Sequence, residues 1–285
     1  MNIQGTSITT SRLGLGTHSL HRLFAPAARR DLLARALDLG VLHFDTAPSY
    51  GDGLAEREIG RMARKRRASL VLTTKFGIPT PGLGGRIPGW NHLAMTARVL
   101  GRMTRRTAKT AFTRDYTAQQ ARKSLEGSLR ALLTDYVDVL FLHEPTMACL
   151  DEPESLVRTL EELKASGKVR AIGLSGSPAD CQAIASAQPA LAEVLQVQLP
   201  AAADGLPQEG FQPPPAAAIS FWEFPAGSAE AAPGRLRQTL EGLRKAAPAG
   251  VLLVSTNSAL QLRESVAILS KSDFDARSSA KSSLA

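Results

Sequence analysis

Three strand-like apolar runs in this sequence are each followed by a titratable side chain. Asp45 follows VLHF, Lys75 follows LVLTT, and His143 follows VDVLFL. Tyr50 lies five residues after Asp45, in the loop DTAPSYGDG. If these strands are parallel, their carboxyl ends meet at one rim, and we expect the four side chains to lie together there. Taken singly, Asp45 has a structural interpretation as a helix cap or turn residue, Tyr50 as a packing residue and His143 as a hydrogen-bonding residue. Lys75 is harder to explain in this way, because an amine in a barrel mouth needs a carboxylate partner. Together they predict a site.

The four residue types can move a proton to or from an oxygen atom without a metal ion. Tyrosine has an ordinary pKa of about 10, too high for easy proton exchange near neutrality. A nearby lysine ammonium lowers the pKa of the phenol, and a buried ammonium needs a carboxylate such as that of Asp45. A histidine can orient a carbonyl oxygen. The set predicts a general acid for carbonyl reduction, or a general base for alcohol oxidation, with hydride from a cofactor.

No metal site is expected. The remaining histidines show no metal-ligand spacing with His143; they are His18, His21, His43 and His92. The two cysteines, Cys149 and Cys181, are too few for a disulfide framework or a multi-thiolate zinc site, so a reducing cytoplasm is the expected compartment.

Alternating strand and helix patterns supply the elements that would position the four side chains. Apolar runs begin near residues 13, 41, 70, 137, 169, 194, 217 and 251. Leucines at helical spacing lie between several of them, and Thr117 and Ser177 have the sequence context of helix N-caps. Eight such units in about 250 residues predict an α/β fold, a single-domain (β/α)8 or TIM barrel.

The barrel is predicted to occupy residues 1–269, followed by a disordered, serine-rich tail at 270–285. Residues 78–115 form a predicted loop insertion after the third strand. Seven basic and no acidic residues lie between Ile78 and Arg114, against a net charge of +8 for the whole chain. The insertion has two interpretations: a cover over the mouth of the site that attracts anions, with Trp90 as a substrate contact, or a basic helix on the side of the barrel.

Composition excludes several other classes of protein. With 44% hydrophobic and 21% charged residues, the chain is not mostly disordered. It has no apolar run long enough to span a membrane and no signal-peptide pattern. The basic insertion contains only two aromatic residues, Trp90 and Phe112, so a nucleic-acid partner is not expected. The expected partner is a small molecule, and the sequence indicates no oligomeric state.

Five stretches, in this order and spacing, resemble the aldo-keto reductases, particularly short bacterial members of the aldose-dehydrogenase type. They are RLGLGT (12–17), HFDTAPSYG (43–51), LTTKFG (72–77), DYVDVLFLHEP (135–145) and GKVRAIGLS (167–175). The resemblance implies a barrel that transfers hydride between a nicotinamide cofactor and a carbonyl or alcohol. It also implies a catalytic tetrad of Asp45, Tyr50, Lys75 and His143, with Tyr50 as the proton donor.

The same resemblance implies NADP(H) as the cofactor, with NAD(H) as the alternative. Ser175 and Gln196 would hold the carboxamide, although Gly176 replaces the usual asparagine, and Trp222 or its neighbour Phe221 would stack on the nicotinamide. The further implied cofactor contacts are Gly16, Thr17, Asp45, Ser255, Thr256, Asn257 and Gln261. The last four are neutral where the family often has Lys or Arg for the 2′-phosphate.

Two hypotheses follow. The leading one is an oxidoreductase that interconverts an aldehyde, ketone or sugar with its oxidised or reduced partner. The alternative is a barrel that binds the cofactor in a regulatory role with little turnover. The complete tetrad favours the first hypothesis, and the departures at the cofactor positions favour the second.

Overall fold

Eight parallel strands pair in sequence order in the computed structural model, and the last pairs with the first, so the sheet closes into a barrel. The described residues are 1–80, 114–201, 217–223, 233–246 and 250–269. The strands are β1 (Leu13–Gly16), β2 (His43–Asp45), β3 (Val71–Phe76), β4 (Val137–His143), β5 (Val169–Gly176), β6 (Val194–Gln198), β7 (Ala217–Glu223) and β8 (Val251–Ser255). The predicted single-domain (β/α)8 barrel is confirmed.

Helices connect most of these strands. They are α1 (Pro26–Asp38), α2 (Leu54–Ala63), α3 (Ala118–Leu132), α4 (Pro153–Ala165), α5 (Pro178–Ala187), α6 (Pro233–Ala246) and α7 (259–269). Both predicted caps are present: Thr117 Oγ1 accepts a hydrogen bond from Gln120 N, and Ser177 Oγ accepts one from Asp180 N. In the described part of the chain, no helix combines the length and apolar character that crossing a membrane requires.

Side-chain alternation along the strands creates two apolar cores. Phe44, Leu72 and Leu140 face outward and pack under the helices. The inward-facing core is smaller and contains Val71, Val139, Ala171, Val194, Phe141, Ile219, Val251 and Leu253, with Ile3 and Ile8 of the N-terminal segment. Those two isoleucines pack against the beginnings of the strands and so fill the amino-terminal end of the barrel.

Three of the predicted features lie outside the described residues. Most of the 78–115 insertion falls in 81–113, which includes the candidate substrate contact Trp90 and most of the predicted cover. The predicted tail at 270–285 is also outside. The prediction of a cover therefore stays a prediction.

A fully buried carboxylate joins three neighbouring strands at their amino-terminal ends. Asp138 Oδ2 accepts from Arg67 Nη2 at 2.7 Å and from Leu72 N at 2.9 Å, and Oδ1 accepts from Arg170 Nη1 at 2.7 Å. The Arg67 guanidinium also lies 3.8 Å from the ring centroid of Tyr136. Because Asp138 points away from the barrel interior, its role is to hold β3, β4 and β5 together.

We expect Asp138→Ala to lower the free energy of unfolding by about 3 kcal/mol, because Arg67 loses the partner of its largely buried charge and Leu72 N loses its acceptor. Urea denaturation monitored by circular dichroism measures the change. Glu162→Ala is the matched control, since the exposed Glu162 pairs with Arg122 at the surface and its loss should cost less than about 1 kcal/mol. Equal destabilisation by the two substitutions would contradict the assignment.

His43 is a second buried polar residue, and it points into the barrel two positions before Asp45. Its side chain is fully buried, and neither ring nitrogen has a hydrogen-bond partner among the described residues. Burial lowers the pKa of His43 from 6.5 to about 4, an effect that Lys75 reinforces and that Asp45 and Asp138 oppose. The imidazole is therefore neutral in the folded protein at neutral pH.

This depressed pKa makes the stability of the fold depend on pH. Between pH 6.5 and about 4 the unfolded chain binds a proton at His43 that the folded chain does not, so the free energy of unfolding should fall as the pH falls through this window. His43→Gln should reduce the slope by about one proton. Urea denaturation at a series of pH values tests this, with His21→Gln, at a half-buried position, as the control. An unchanged slope in His43→Gln would contradict the prediction.

Candidate active site

The carboxyl ends of the strands meet at one cavity of about 370 Å³. The strand residues at its surface are Gly16, Asp45, His143, Ser175, Gln196, Phe221, Leu253 and Ser255. Gly176, the last residue of β5, also lines it, and the loops after β1 to β4 add His18, Ser49, Tyr50, Ile78, Pro79, Thr80 and Glu144. The predicted rim is therefore present, and the predicted residues that line it are Gly16, Asp45, Tyr50, His143, Ser175, Gln196, Ser255 and the alternative stacking ring Phe221.

A buried ion pair lies under this cavity. Lys75 Nζ of β3 is 2.5 Å from Asp45 Oδ2 of β2, and the two side chains are only 1% and 4% exposed. Thr73 Oγ1 donates to the other carboxylate oxygen at 2.8 Å, and the Thr46 carbonyl accepts from Nζ at 3.0 Å. Each charge thus has its counter-charge and a further hydrogen bond, which is what a buried ion pair requires to be stable.

Tyr50 lies beside this ion pair and also lines the cavity. The centroid of its ring is 5.0 Å from Lys75 Nζ and 5.7 Å from the centroid of the His143 ring, which it meets edge to face. The loop after β2 can deliver it there because Gly51 and Gly53 have positive φ angles of 59° and 82°, and Gly53 caps α2. The structure therefore brings together all four residues that the strand-end pattern predicted.

His143 is held in a neutral state at the end of β4. Burial lowers its pKa well below 6.5, and the positive charge of Lys75 lowers it further. The backbone carbonyl of His143 accepts a hydrogen bond of 2.6 Å from the Tyr116 hydroxyl. A neutral imidazole at this position can donate a hydrogen bond to an oxygen atom beside the Tyr50 phenol.

Tyr116 is a residue that sequence reasoning missed. Its ring packs edge to face on Phe76 and against Gly77, where an added Cβ would lie 2.1 Å from the ring. Gly77 also has a φ of 108°, so no other residue fits there. The KFG motif is a local signal for the glycine. A lone tyrosine 39 residues later in the chain has no such signal.

Two neighbouring side chains fit the carboxamide of a nicotinamide. Ser175 of β5 and Gln196 of β6 are partners in the strand register, and both are buried at the cavity. Gln196 Oε1 is buried without a hydrogen-bond partner in the described structure. Burying an acceptor atom in this way costs free energy unless a ligand or a water molecule donates a hydrogen bond to it. The amide N–H of a carboxamide is a suitable donor. This pair therefore fits the group that the resemblance implies.

Two of the implied cofactor contacts lie elsewhere. Trp222 faces away from the cavity into the outer core and is 5% exposed, because consecutive strand residues point to opposite faces. Of the two rings that the resemblance offered for stacking, Phe221 is the one at the cavity, so Phe221 replaces Trp222 as the candidate. Thr17 is buried and its hydroxyl donates to the backbone carbonyl of Asp45 at 2.9 Å, so it supports β2 instead of lining the cavity.

Four residues are predicted to contact the adenosine half of the cofactor, and they lie in different environments. Ser255 lines the cavity. Thr256 Oγ1 donates to Gln261 Oε1 at 2.5 Å, and both side chains are buried, so they bind each other. Asn257 is exposed. Arg263 lies at a separate groove beside Arg35 and Asp38.

Comparisons with known proteins agree with this architecture. The chain is 30% identical over 182 residues to L-galactose dehydrogenase of Arabidopsis thaliana, covering 61% of this chain and 47% of that protein. It is 29% identical over 185 residues to the NADH-specific methylglyoxal reductase of Escherichia coli, covering 61% and 51%. The matched region thus spans about half the length of these curated relatives.

The fold also matches a solved structure, that of an aldo-keto reductase of Bacillus halodurans, with a TM-score of 0.67. The identity is 18%, and the match covers 94% of this chain and 90% of that one. At this identity the likeness concerns the fold alone. The profile of the Aldo/keto reductase family matches residues 12–202, which contain the ion pair, Tyr50 and His143. This protein belongs to the aldo/keto reductase family.

Proposed function

We propose that this protein is an NAD(P)(H)-dependent oxidoreductase that interconverts the carbonyl group of an aldehyde, ketone or sugar with the corresponding alcohol. The observation that carries the proposal is the position of the Lys75 ammonium, which Asp45 holds 5.0 Å from the centroid of the Tyr50 ring. A phenol beside a fixed, buried positive charge is suited to give up a proton and take it back.

In the reductive direction, Tyr50 Oη donates its proton to the carbonyl oxygen, and the Lys75 ammonium stabilises the phenolate that remains. In the oxidative direction, the phenolate accepts the proton of the alcohol. Asp45 does not exchange protons in this scheme. It keeps Lys75 charged and in place, since burying an unpaired ammonium at 1% exposure would cost a large amount of free energy.

His143 orients the substrate oxygen. Its ring lies edge to face with Tyr50, and its lowered pKa keeps it neutral, so it can donate a hydrogen bond without competing for the transferred proton. In this proposal both side chains donate to the same oxygen atom, where negative charge develops during reduction.

A nicotinamide dinucleotide, when bound, supplies or accepts the hydride. In this proposal Ser175 and Gln196 hold its carboxamide, and the Phe221 ring packs on the nicotinamide. The main support for this placement is Gln196 Oε1, which is buried and has no hydrogen-bond partner among the described residues. The relative from Escherichia coli is named NADH-specific, so membership in the family leaves either nucleotide open for this chain.

The direct test of the proposal is the absorbance of the reduced nicotinamide at about pH 7, followed with each nucleotide and a panel of aldehydes, ketones and aldoses. Turnover of any panel member that depends on Tyr50 supports the proposal. Binding of the nucleotide without turnover of any of them would favour the alternative, a cofactor-binding barrel with a regulatory role.

We expect Tyr50→Phe to lower kcat by about 10²–10⁴-fold, because it removes the proton donor and keeps the ring. Steady-state kinetics measure the loss, and calorimetric titration should show that the affinity for the nucleotide is nearly unchanged. Tyr136→Phe is the matched control, because Tyr136 lies at the other end of the barrel beside Arg67. A Tyr50→Phe enzyme with near-normal kcat would exclude the phenol as the proton donor.

We expect the preference for NADP(H) over NAD(H) to be within about tenfold. A 2′-phosphate is usually bound by Arg or Lys, whereas the four side chains at the implied adenosine end are neutral, and Thr256 and Gln261 already bind each other. Backbone N–H groups at the start of α7 can still supply donors. Calorimetric titration with both nucleotides measures the preference. A preference above about a hundredfold would require a basic group outside the described residues.

A further inference from the structure

We propose that His18 determines substrate choice by binding an oxygen atom on the carbon next to the reacting carbonyl. The favoured substrates would then be α-oxygenated carbonyl compounds, including sugars. This inference rests on the proposed function, because it requires the Tyr50 phenol to hold the reacting oxygen. His18 lies two residues after the end of β1 and plays no part in the proton transfer described above.

Two imidazole rings flank the ring of Tyr50. The His18 centroid lies 5.1 Å from the Tyr50 centroid with an interplanar angle of 70°, and the His143 centroid lies 5.7 Å away at 78°. All three side chains line the same cavity. Both imidazoles therefore contact the Tyr50 ring at the cavity where the proposed function places the reacting oxygen.

The two histidines differ in the structural element that carries them and in their exposure to solvent. His143 belongs to the end of β4 and is buried, whereas His18 lies on a loop and is half-buried. One carbonyl oxygen has two acceptor sites, which Tyr50 and His143 fill. His18 can then bind a second oxygen. Oxygen atoms on adjacent carbons lie about one hydrogen-bond length apart, so the second oxygen can reach His18 while the first stays at Tyr50.

The positions of the strands around the barrel support this role for His18. In the proposed function the nicotinamide uses Ser175, Gln196 and Phe221, which belong to β5, β6 and β7. The substrate then lies toward the loops after β1 and β2, where His18 and Ser49 line the cavity. These loops are neighbours, because β1 and β2 pair in the sheet.

Other ionisable groups lie near His18. His21 Nδ1 donates to the His18 carbonyl at 2.8 Å, and the His21 ring lies 6.2 Å from that of His18. Glu144 lines the same cavity, but its carboxylate pairs with Arg114 at 2.7 Å. An apolar side chain would suffice to pack Tyr50. An imidazole can also donate or accept a hydrogen bond in either tautomer.

The test compares 2-hydroxypropanal with propanal, which differ by one hydroxyl group on the carbon next to the carbonyl. The wild-type kcat/KM should be higher for 2-hydroxypropanal by about fivefold or more, the size of one neutral hydrogen bond. His18→Leu should abolish this preference, with the larger loss falling on 2-hydroxypropanal. His18→Gln should keep part of it, because an amide can still donate.

His21→Leu is the matched control. It removes the neighbouring imidazole, which does not line the cavity in the described structure, and the ratio of the two kcat/KM values should stay at the wild-type level. Thermal unfolding establishes that each variant is folded. If His18→Leu does not fold, the ratio measured for His18→Gln decides the question.

Two outcomes would overturn the inference and leave the proposed function standing. One is a wild-type enzyme that reduces both compounds with equal kcat/KM. The other is an equal loss on both compounds in the His18 variants, which would assign His18 to packing against Tyr50. By contrast, a wild-type enzyme that reduces neither compound and no member of the carbonyl panel, with either nucleotide, would overturn the proposed function itself.

Discussion

The ion pair between Lys75 and Asp45 is the constraint on which the site depends. Two opposite charges at 1% and 4% exposure are tolerable only if neither partner can move away from the other. The pairing of β2 with β3 fixes their separation, and the Thr73 hydroxyl and the Thr46 carbonyl fill the remaining hydrogen-bonding positions. The position of the ammonium under Tyr50 is thus set by the sheet itself, and the chemistry of the phenol follows from it.

The rest of the barrel serves to keep that geometry. Ile3 and Ile8 fill the amino-terminal end, and the carboxylate of Asp138 ties β3 to β4 and β5. Tyr116 joins the ends of β3 and β4 through its contact with Gly77 and its bond to the His143 carbonyl. Lys75 and His143 are consequently held on strands that are fastened to each other at both ends.

Much of this arrangement could be predicted from the sequence because strand periodicity and strand ends leave local signals. The apolar runs located all eight strands to within about two residues, and the titratable residues after them located Asp45, Lys75 and His143. The side of the strand that Trp222 faces could not be settled, since one residue of register exchanges the two faces of a strand. The Thr256–Gln261 bond and the Tyr116 contacts escaped prediction because they depend on side-chain packing between residues without any motif.

The hydrogen bond from Asp115 N to the Gly77 carbonyl, at 2.9 Å, determines how freely the length of the chain between these two residues can vary. Residue 77 follows β3 and residue 115 precedes α3, so this bond fixes the two ends of the connection between them at one point. The entropy of closing such a loop grows only with the logarithm of its length. A change in the length of this connection therefore changes the free energy of loop closure only slightly, and the ends of β3 and β4 can stay in place when its length varies.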